Sequence, residues 1–207
     1  MTSLARRERL ALCHTALQEG PDAPTLCDPW DVRRLVAHLL VRERQPVAAA
    51  GIQISALNGL NEGAMDRLEG KDFGLLVERL RRPPSIPFAL PGLDRVVNTL
   101  EYFTHHEDVR RAQPEWSPRV LDDADEATIW TLLTVAGRGM ARRTGVPVVI
   151  EWGDRSATLR RGTDPVIMRG RPSELALALQ GRQRVADVEY DGPADSASRV
   201  RGVDLGP

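Results

Sequence analysis

Cysteine, histidine and lysine are scarce in this sequence, and neither sign of charge is in excess. The 207 residues include two cysteines, Cys13 and Cys27, with no CxxC pair, which argues against a zinc ribbon and a disulfide framework. Basic residues number 28 and acidic residues 29, a balance that argues against nucleic-acid-binding proteins and polybasic membrane-binding proteins. No apolar run approaches the ~20 residues that cross a bilayer. We therefore expect small-molecule partners, with no nucleic acid and no membrane.

The beginning of the chain bears on where the protein acts. Residues 3–9 are polar and no long apolar run follows them, so this pattern is unlike a signal peptide. We predict a cytoplasmic protein whose thiols are reduced. Lys71 is the only lysine among the 28 basic residues, and this preference for arginine is typical of a GC-rich bacterial genome.

The first two thirds of the chain have the apolar spacing of helices. Hydrophobic residues make up 42% of the sequence, which is enough apolar material for a folded core. Ser3 and Asp28 are the predicted N-caps of the first two helices. The predicted helices cover residues 4–20, 29–50, 62–81, 93–112 and 122–143. The proline-rich residues 83–91 are predicted to be a connection that contacts substrate.

Beyond Gly145 the pattern favours strands. The β-rich runs, separated by turn residues, lie at residues 146–152, 156–160, 166–169 and 185–190. Ser173 is predicted to cap a short apolar helix over residues 174–179, and the tail from Asp191 to fray or form a short exposed helix. The predicted fold class is therefore α+β, with a helix bundle over residues 1–144 and a small α+β domain over residues 145–207.

The residues best suited to chemistry lie on two of the predicted helices. Glu101, His105 and Asp108 are four and three residues apart, so on a helix they project from one face. A carboxylate and an imidazole at this spacing can share one metal ion. His38 lies inside the apolar run 35–40, where it needs a partner or a metal to offset its desolvation. His38, Glu101 and His105 are therefore candidate metal ligands.

The same residues also permit a simpler interpretation. Glu and His four apart on a helix often form weak surface pairs of ~0.2–0.5 kcal/mol, and a histidine in an apolar helix is often a hydrogen-bonded core residue. His106 points about 100° away from His105 around the helix and is expected at the surface or beside the site. His14 is expected to be structural, and both cysteines to be small buried residues.

Three segments carry a resemblance to a known family. Residues 30–39, WDVRRLVAHL, resemble the W…R-x-L-V-A-H-L segment of the mycothiol-dependent maleylpyruvate isomerase family. Residues 98–108, NTLEYFTHHED, resemble that family's E-x-x-x-H-x-x-D helix. Residues 166–182 are similar to its "strand, G-x-P-x-E-L, G-R" pattern. Residues 4–9 and 105–112 look closer still to an actinobacterial subgroup described only as metal-binding.

This resemblance implies both a fold and a site. The fold is a DinB-like up-and-down four-helix bundle followed by a small domain shaped like sterol-carrier proteins. By the resemblance, His38, Glu101 and His105 are the metal ligands. Asp108 matches the motif's aspartate, and we expect it to orient a histidine ring or cap the site. The metal is expected to be Zn²⁺, with Ni²⁺, Mn²⁺ or Fe²⁺ as alternatives, because residue type alone does not choose among them.

Two classes of function follow, and the sequence leaves both open. Two histidines and one carboxylate leave coordination positions free, as in catalytic zinc sites, so a low-molecular-weight thiol such as mycothiol can be activated for attack on an electrophilic substrate. The first class is therefore a metal- and thiol-dependent transferase or isomerase. The second is a metal- or ligand-binding protein without catalysis, and a metal-free structural bundle is a third, weaker option. A monomer and a homodimer both fit the sequence.

Overall fold

The computed structural model of the chain describes residues 2–49, 51, 54–82 and 91–203, and gives the backbone alone for residue 55 and residues 91–97. Helices precede a four-stranded sheet that has two further helices, so the predicted α+β class is confirmed. The predicted substrate loop at residues 83–91 lies outside the described residues apart from the backbone of its last residue. No helix in the described part of the chain combines the length and the apolarity needed to cross a bilayer.

The chain divides into two compact units, Met1–Ser117 and Pro118–Pro207. The sequence placed the boundary after residue 144, whereas the packing assigns the helix Asp123–Arg142 to the second unit. The physical reason is a close approach of that helix to a strand, because a Cβ on Gly137 would lie 3.1 Å from a methyl group of Leu159. Helical periodicity shows that a segment is a helix and does not show which element it packs against. The domain ranges 1–144 and 145–207 remain a prediction.

The first unit is helical. Its helices are α1 (Leu4–Glu19), α2 (Val32–Arg44), α3 (Pro46–Ala49), α4 (Asn58–Glu69), α5 (Phe73–Arg81) and α6 (Pro91–Arg110), with a 3₁₀ turn at Ser55–Leu57. Ser3 caps α1 as predicted, since its Oγ accepts from the N–H of Arg6 at 3.4 Å. α2 is capped by Asp31, whose Oδ1 accepts from the N–H of Arg34 at 2.7 Å, so the prediction of Asp28 as its cap was wrong.

The predicted helix over residues 62–81 is two helices in the structure. α4 ends at Glu69 with Gly70 as its C-cap, and Asp72 caps α5 by accepting a hydrogen bond from the N–H of Leu75 at 2.9 Å. A glycine followed shortly by a carboxylate that can cap is a helix stop and start, and this local signal overrides the continuous apolar periodicity.

α2 lies at the centre of the first unit's core. Its residues 35–41 are all buried, including His38. The apolar core around it is made of residues from α1, α4, α5 and α6 as well, among them Leu12, Ala16, Met65, Leu68, Val77, Leu80, Tyr102 and Val109. A buried α2 therefore presents its single histidine to the interior of the helical unit.

A short loop between α1 and α2 is tied to α6. The N–H of Leu26 donates to the carbonyl oxygen of Asp108 at 3.0 Å. Within the loop, Thr25 accepts a hydrogen bond from the N–H of Cys27 at 3.1 Å and donates one to the carbonyl oxygen of Trp30 at 2.7 Å. These bonds fix Cys27 against α6.

The second unit combines a four-stranded sheet with three helices. Its elements are α7 (Asp123–Arg142), β1 (Val148–Trp152), β2 (Arg155–Arg160), β3 (Val166–Arg169), α8 (Pro172–Leu179), β4 (Glu189–Asp191) and α9 (Ala194–Gly202). The strand order is β2-β1-β3-β4, with β1 and β3 parallel and the outer pairs antiparallel. The tail forms a helix, one of the two predicted outcomes.

Two local predictions for this unit were wrong. The last strand is Glu189–Asp191 and not residues 185–190, because the N–H of Val185 bonds back to the carbonyl oxygen of Arg182 in a turn. Ser173 is inside α8 and does not cap it, since the helix begins with Pro172. Its backbone N–H and its hydroxyl instead donate to the buried carboxylate of Glu126 at 2.9 and 2.8 Å.

Candidate metal centre

α2 and α6 bring the three predicted ligands together. Nε2 of His38 lies 3.6 Å from Oε1 of Glu101, and Nε2 of His105 lies 3.5 Å from the same oxygen. The three ligand atoms all lie within 4.8 Å of one another. Both imidazoles therefore point one nitrogen at a single carboxylate oxygen.

Burial differs among the three side chains. His38 and His105 are 5% and 6% exposed, whereas the side chain of Glu101 is 22% exposed. The rings of His38 and His105 meet edge to face, with centroids 5.4 Å apart. The ring of Trp30 also packs against His38, with centroids 5.0 Å apart. The two rings are thus more completely enclosed than Glu101, whose side chain is partly exposed.

The separations suit a divalent ion. A tetrahedral ion bound at the usual ~2.0–2.1 Å holds its ligand atoms ~3.4 Å apart, close to the 3.5 and 3.6 Å found between nitrogen and oxygen here. Two imidazole nitrogens and one carboxylate oxygen are ligands accepted by Zn²⁺, Ni²⁺, Mn²⁺ and Fe²⁺ alike. The residues present therefore fit a metal with further coordination positions left for other ligands.

The protonation states of two of the three groups favour ligation. Burial raises the pKa of Glu101, but hydrogen bonds from His105 and His38 outweigh burial and hold the pKa well below its usual range. Burial lowers the pKa of His38. The glutamate is therefore an anion and the His38 imidazole is neutral near pH 7, which are the forms that bind metals.

His105 has the opposite shift. Burial lowers its pKa, but hydrogen bonds with Asp108, Cys27 and Glu101 overcome this effect and place the pKa well above its usual range. Without a metal the ring therefore carries protons on both nitrogens near pH 7. Metal binding at Nε2 would release one of them and leave the proton that faces Asp108.

Asp108 holds the far side of the His105 ring. Its Oδ2 lies 2.9 Å from Nδ1 of His105, and the residue is fully buried. A carboxylate at Nδ1 fixes the ring orientation and keeps Nε2 directed toward Glu101. The structure thus places Asp108 where the sequence expected it, against a histidine ring.

His106 faces away from this group. Its Nδ1 lies 2.8 Å from Oε2 of Glu8 and its Nε2 lies 3.1 Å from Oγ1 of Thr15, both residues of α1. It is buried and not at the surface. The hydrogen bonds of His106 join α6 to α1. Among the described residues, no contact supports the prediction that His106 lies beside the metal ligands. His14 is exposed on α1.

Sequence reasoning missed two residues beside the ligands. Arg42 donates from Nε to Oε1 of Glu101 at 2.9 Å and from a terminal nitrogen to Oδ1 of Asn98 at 2.9 Å. It follows His38 by four residues, so the helical spacing contained the signal. Cys27 lies with its Sγ 3.1 Å from Oδ2 of Asp108 and 3.9 Å from Nδ1 of His105. It belongs to a loop, where no periodicity points to a site.

Comparison with known proteins identifies the fold of this chain. No family model and no curated protein sequence matches this chain. Among solved structures, the crystal structure of the mycothiol-dependent maleylpyruvate isomerase matches 92% of this chain and 96% of that chain, with a TM-score of 0.51 and 15% sequence identity. This chain has the fold of that isomerase.

The fold of the isomerase extends over both units of the chain, since the match covers 92% of its residues. The resemblance drawn from residues 30–39, 98–108 and 166–182 is therefore confirmed at the level of fold. A structural match at 15% sequence identity shows a shared fold and does not show a shared reaction.

Proposed function

We propose that this chain is a divalent-metal-binding enzyme that uses a low-molecular-weight thiol, of the mycothiol type, in S-transfer or isomerisation. The observation that carries the proposal is the pair of imidazole Nε2 atoms, from His38 and His105, that face one carboxylate oxygen of Glu101 at 3.6 and 3.5 Å. The thiol is supported by the fold that the chain shares with a mycothiol-dependent isomerase.

The chain's own side chains would have separate tasks. His38, Glu101 and His105 would hold the metal, with Zn²⁺ the first choice and Ni²⁺, Mn²⁺ or Fe²⁺ as alternatives. A bound divalent ion supplies positive charge that lowers the pKa of a coordinated thiol and stabilises its thiolate. Asp108 keeps a proton on Nδ1 of His105, so that Nε2 remains directed at the ion. The buried rings exclude water from the side opposite Glu101.

The reaction partners would be small molecules. The partly exposed side of Glu101 is the approach for a thiol and an electrophilic substrate. Neither a nucleic acid nor a membrane is expected to bind, and we propose a cytoplasmic protein of actinobacterial origin, in line with its single lysine among 28 basic residues. The maleylpyruvate substrate belongs to the structural relative and is not assigned to this chain.

Elemental analysis tests the metal. Untagged protein purified without chelator should hold close to one equivalent of a divalent metal, and Glu101→Ala should lose it. Glu78→Ala is the matched control, because Glu78 is an exposed glutamate of α5 that pairs with arginines. A wild-type protein without metal, even after incubation with Zn²⁺, Ni²⁺, Mn²⁺ and Fe²⁺, would contradict the proposal.

An activity assay then separates catalysis from binding. Metal-loaded protein should transfer mycothiol to at least one of a panel of electrophiles, or isomerise one of them, and His38→Ala should abolish the reaction. Full metal content with no reaction across the panel would favour the alternative, a metal- or ligand-binding protein without catalysis.

A further inference from the structure

The thiol of Cys27 shares an acceptor with His105. Its S–H donates to Oδ2 of Asp108 at 3.1 Å, and the same oxygen accepts from Nδ1 of His105 at 2.9 Å. Asp108 is completely buried and Cys27 is nearly so. Cys27, Asp108 and His105 therefore form a hydrogen-bonded chain that ends at the ring whose Nε2 faces Glu101.

The position of the thiol is fixed by the backbone around it. The N–H of Leu26 donates to the carbonyl oxygen of Asp108, and Thr25 holds the N–H of Cys27. These bonds do not involve the thiol, so replacing the Cys27 side chain leaves the loop attached to α6. The effect of the thiol on Asp108 is thus separable from the effect of the loop.

A buried carboxylate depends on its donors. Water does not reach Asp108, so its orientation is determined by the groups that donate to it, and hydrogen bonds to an ionised acceptor are the stronger kind. Two donors on the same Oδ2 restrict rotation of the carboxylate about its χ2 bond. A carboxylate with fixed rotation in turn fixes the plane of the imidazole that it accepts from.

We propose that Cys27 is a positioning residue for His105, acting through Asp108. The inference rests on the proposed function, since the ring that Cys27 orients is that of a proposed metal ligand. In this role the Cys27 thiol donates to Asp108 at 3.1 Å, with a longer 3.9 Å contact to Nδ1 of His105, and it supplies no covalent chemistry and does not touch the substrate.

Metal affinity is the first test. Zn²⁺ affinity is measured by competition with a chromophoric chelator for wild type, Cys27→Ala and Cys27→Ser. Loss of a direct partner of a ligating histidine lowers metal affinity by about 10–100-fold. The Cys27 thiol bonds to Asp108 and contacts the His105 ring only at 3.9 Å, so Cys27→Ala should weaken Zn²⁺ binding by less, about threefold to tenfold. Cys27→Ser keeps a donor and should restore most of the affinity.

The second cysteine supplies the matched control. Cys13 is also completely buried, and its thiol faces the carbonyl oxygen of Val77 at 3.8 Å, away from the three ligands. Cys13→Ala should lower the melting temperature and leave Zn²⁺ affinity unchanged. If Cys13→Ala and Cys27→Ala weaken Zn²⁺ binding equally, the effect is one of packing and the positioning role is wrong.

A double-mutant cycle tests the route through Asp108. In an Asp108→Asn background the carboxylate that Cys27 orients is absent, so adding Cys27→Ala should leave Zn²⁺ affinity as it is in Asp108→Asn alone. An equal loss of affinity from Cys27→Ala in both backgrounds would show that Cys27 does not act through Asp108.

A measurement without metal keeps this inference distinct from the proposed function. In ¹⁵N-histidine-labelled, metal-free protein, the proton on Nδ1 of His105 is observed directly and assigned with His105→Gln. Cys27→Ala should shift this resonance, and Cys13→Ala should not. If wild type binds no metal, the proposed function fails while this shift still decides the role of Cys27, and an unshifted resonance overturns the role.

Discussion

His105 and His106 are consecutive residues of α6, yet their Nδ1 atoms contact two different carboxylates. Nδ1 of His105 lies 2.9 Å from Asp108 of the same helix, and Nδ1 of His106 lies 2.8 Å from Glu8 of α1. The first pair leaves its Nε2 directed at Glu101, and the second has its Nε2 bonded to Thr15. Two neighbouring imidazoles thus belong to different networks.

Substitution of His105 should therefore affect metal binding, and substitution of His106 should affect stability. His105→Gln should lose the bound metal, as measured by elemental analysis. His106→Gln should keep the metal and lose about 1–3 kcal/mol of unfolding free energy, because it disturbs a buried hydrogen bond to Glu8. Urea denaturation of both variants without metal measures the free energy of unfolding. Equal metal loss in the two variants would contradict the assignment of His105, and not His106, as a ligand.

Arg42 should oppose metal binding. Its Nε lies 2.9 Å from the Glu101 oxygen that both histidines face, so its positive charge repels a cation placed there. Arg42→Met should therefore raise metal affinity by at least about tenfold, the effect on a divalent ion about 5 Å away if the repulsion is screened as in bulk water. Arg44→Met is the control, because Arg44 is on the same helix but donates to the carbonyl oxygens of Arg79 and Arg82. Weaker metal binding in Arg42→Met would instead make Arg42 a support that orients Glu101.

Cys13 should make stability depend on alkaline pH. Burial raises the pKa of its thiol from 9.0 to about 11, so folding favours the protonated form. This stabilisation is complete below pH 9 and is lost as the pH rises to 11, with a total of about 2–3 kcal/mol. The free energy of unfolding of wild type should fall more steeply between pH 8.5 and 10.5 than that of Cys13→Ala. Parallel pH profiles for the two proteins would show that Cys13 ionises freely in the folded state.

Ser173 should stabilise the second unit through Glu126. Burial raises the pKa of the Glu126 carboxyl above 4.5, while the Ser173 hydroxyl and N–H donate to its ionised form. Ser173→Ala should cost about 1–2 kcal/mol at pH 7, since one donor to a buried anion is lost. The cost should shrink as the pH falls through the raised pKa, because the protonated carboxyl needs fewer donors.

Chemical denaturation at pH 7 and at pH 5 measures this change. Ser156→Ala is the matched control, because Ser156 is an exposed serine of β2. A Ser173→Ala cost that is the same at both pH values would show that Glu126 is not the group involved.

The sequence was informative where a helix face carries the chemistry. The spacing of Glu101, His105 and Asp108 predicted that they share one side of α6, and the structure places them so. His38 was predictable because an imidazole inside an apolar run needs a polar neighbour. The α+β class was predictable because helical apolar spacing gives way after Gly145 to short β-rich runs separated by turn residues.

The features of the fold and the site that the sequence did not predict depend on tertiary contacts, which apolar periodicity does not encode. Cys27 reaches Asp108 because a loop is tied to α6 by backbone bonds, and no residue pattern announces such a contact. The packing of α7 with the sheet depends on Gly137 opposite Leu159, a pair that lies far apart in the sequence. His106 was expected at the surface or beside the site, and its burial was not predicted because its partner, Glu8, comes from the distant α1.

The strand order of the sheet also bears on how copies of the protein behave at high concentration. Among the described strands, β2 and β4 are the outer ones, and open backbone groups on outer strands can recruit a second chain. β4 has only three residues, with the exposed acids Glu189 and Asp191 on either side of Tyr190, and β2 begins and ends with the arginines 155 and 160. Short length and charge discourage strand addition at each edge, so copies stacking edge to edge should be disfavoured even when the helical unit unfolds.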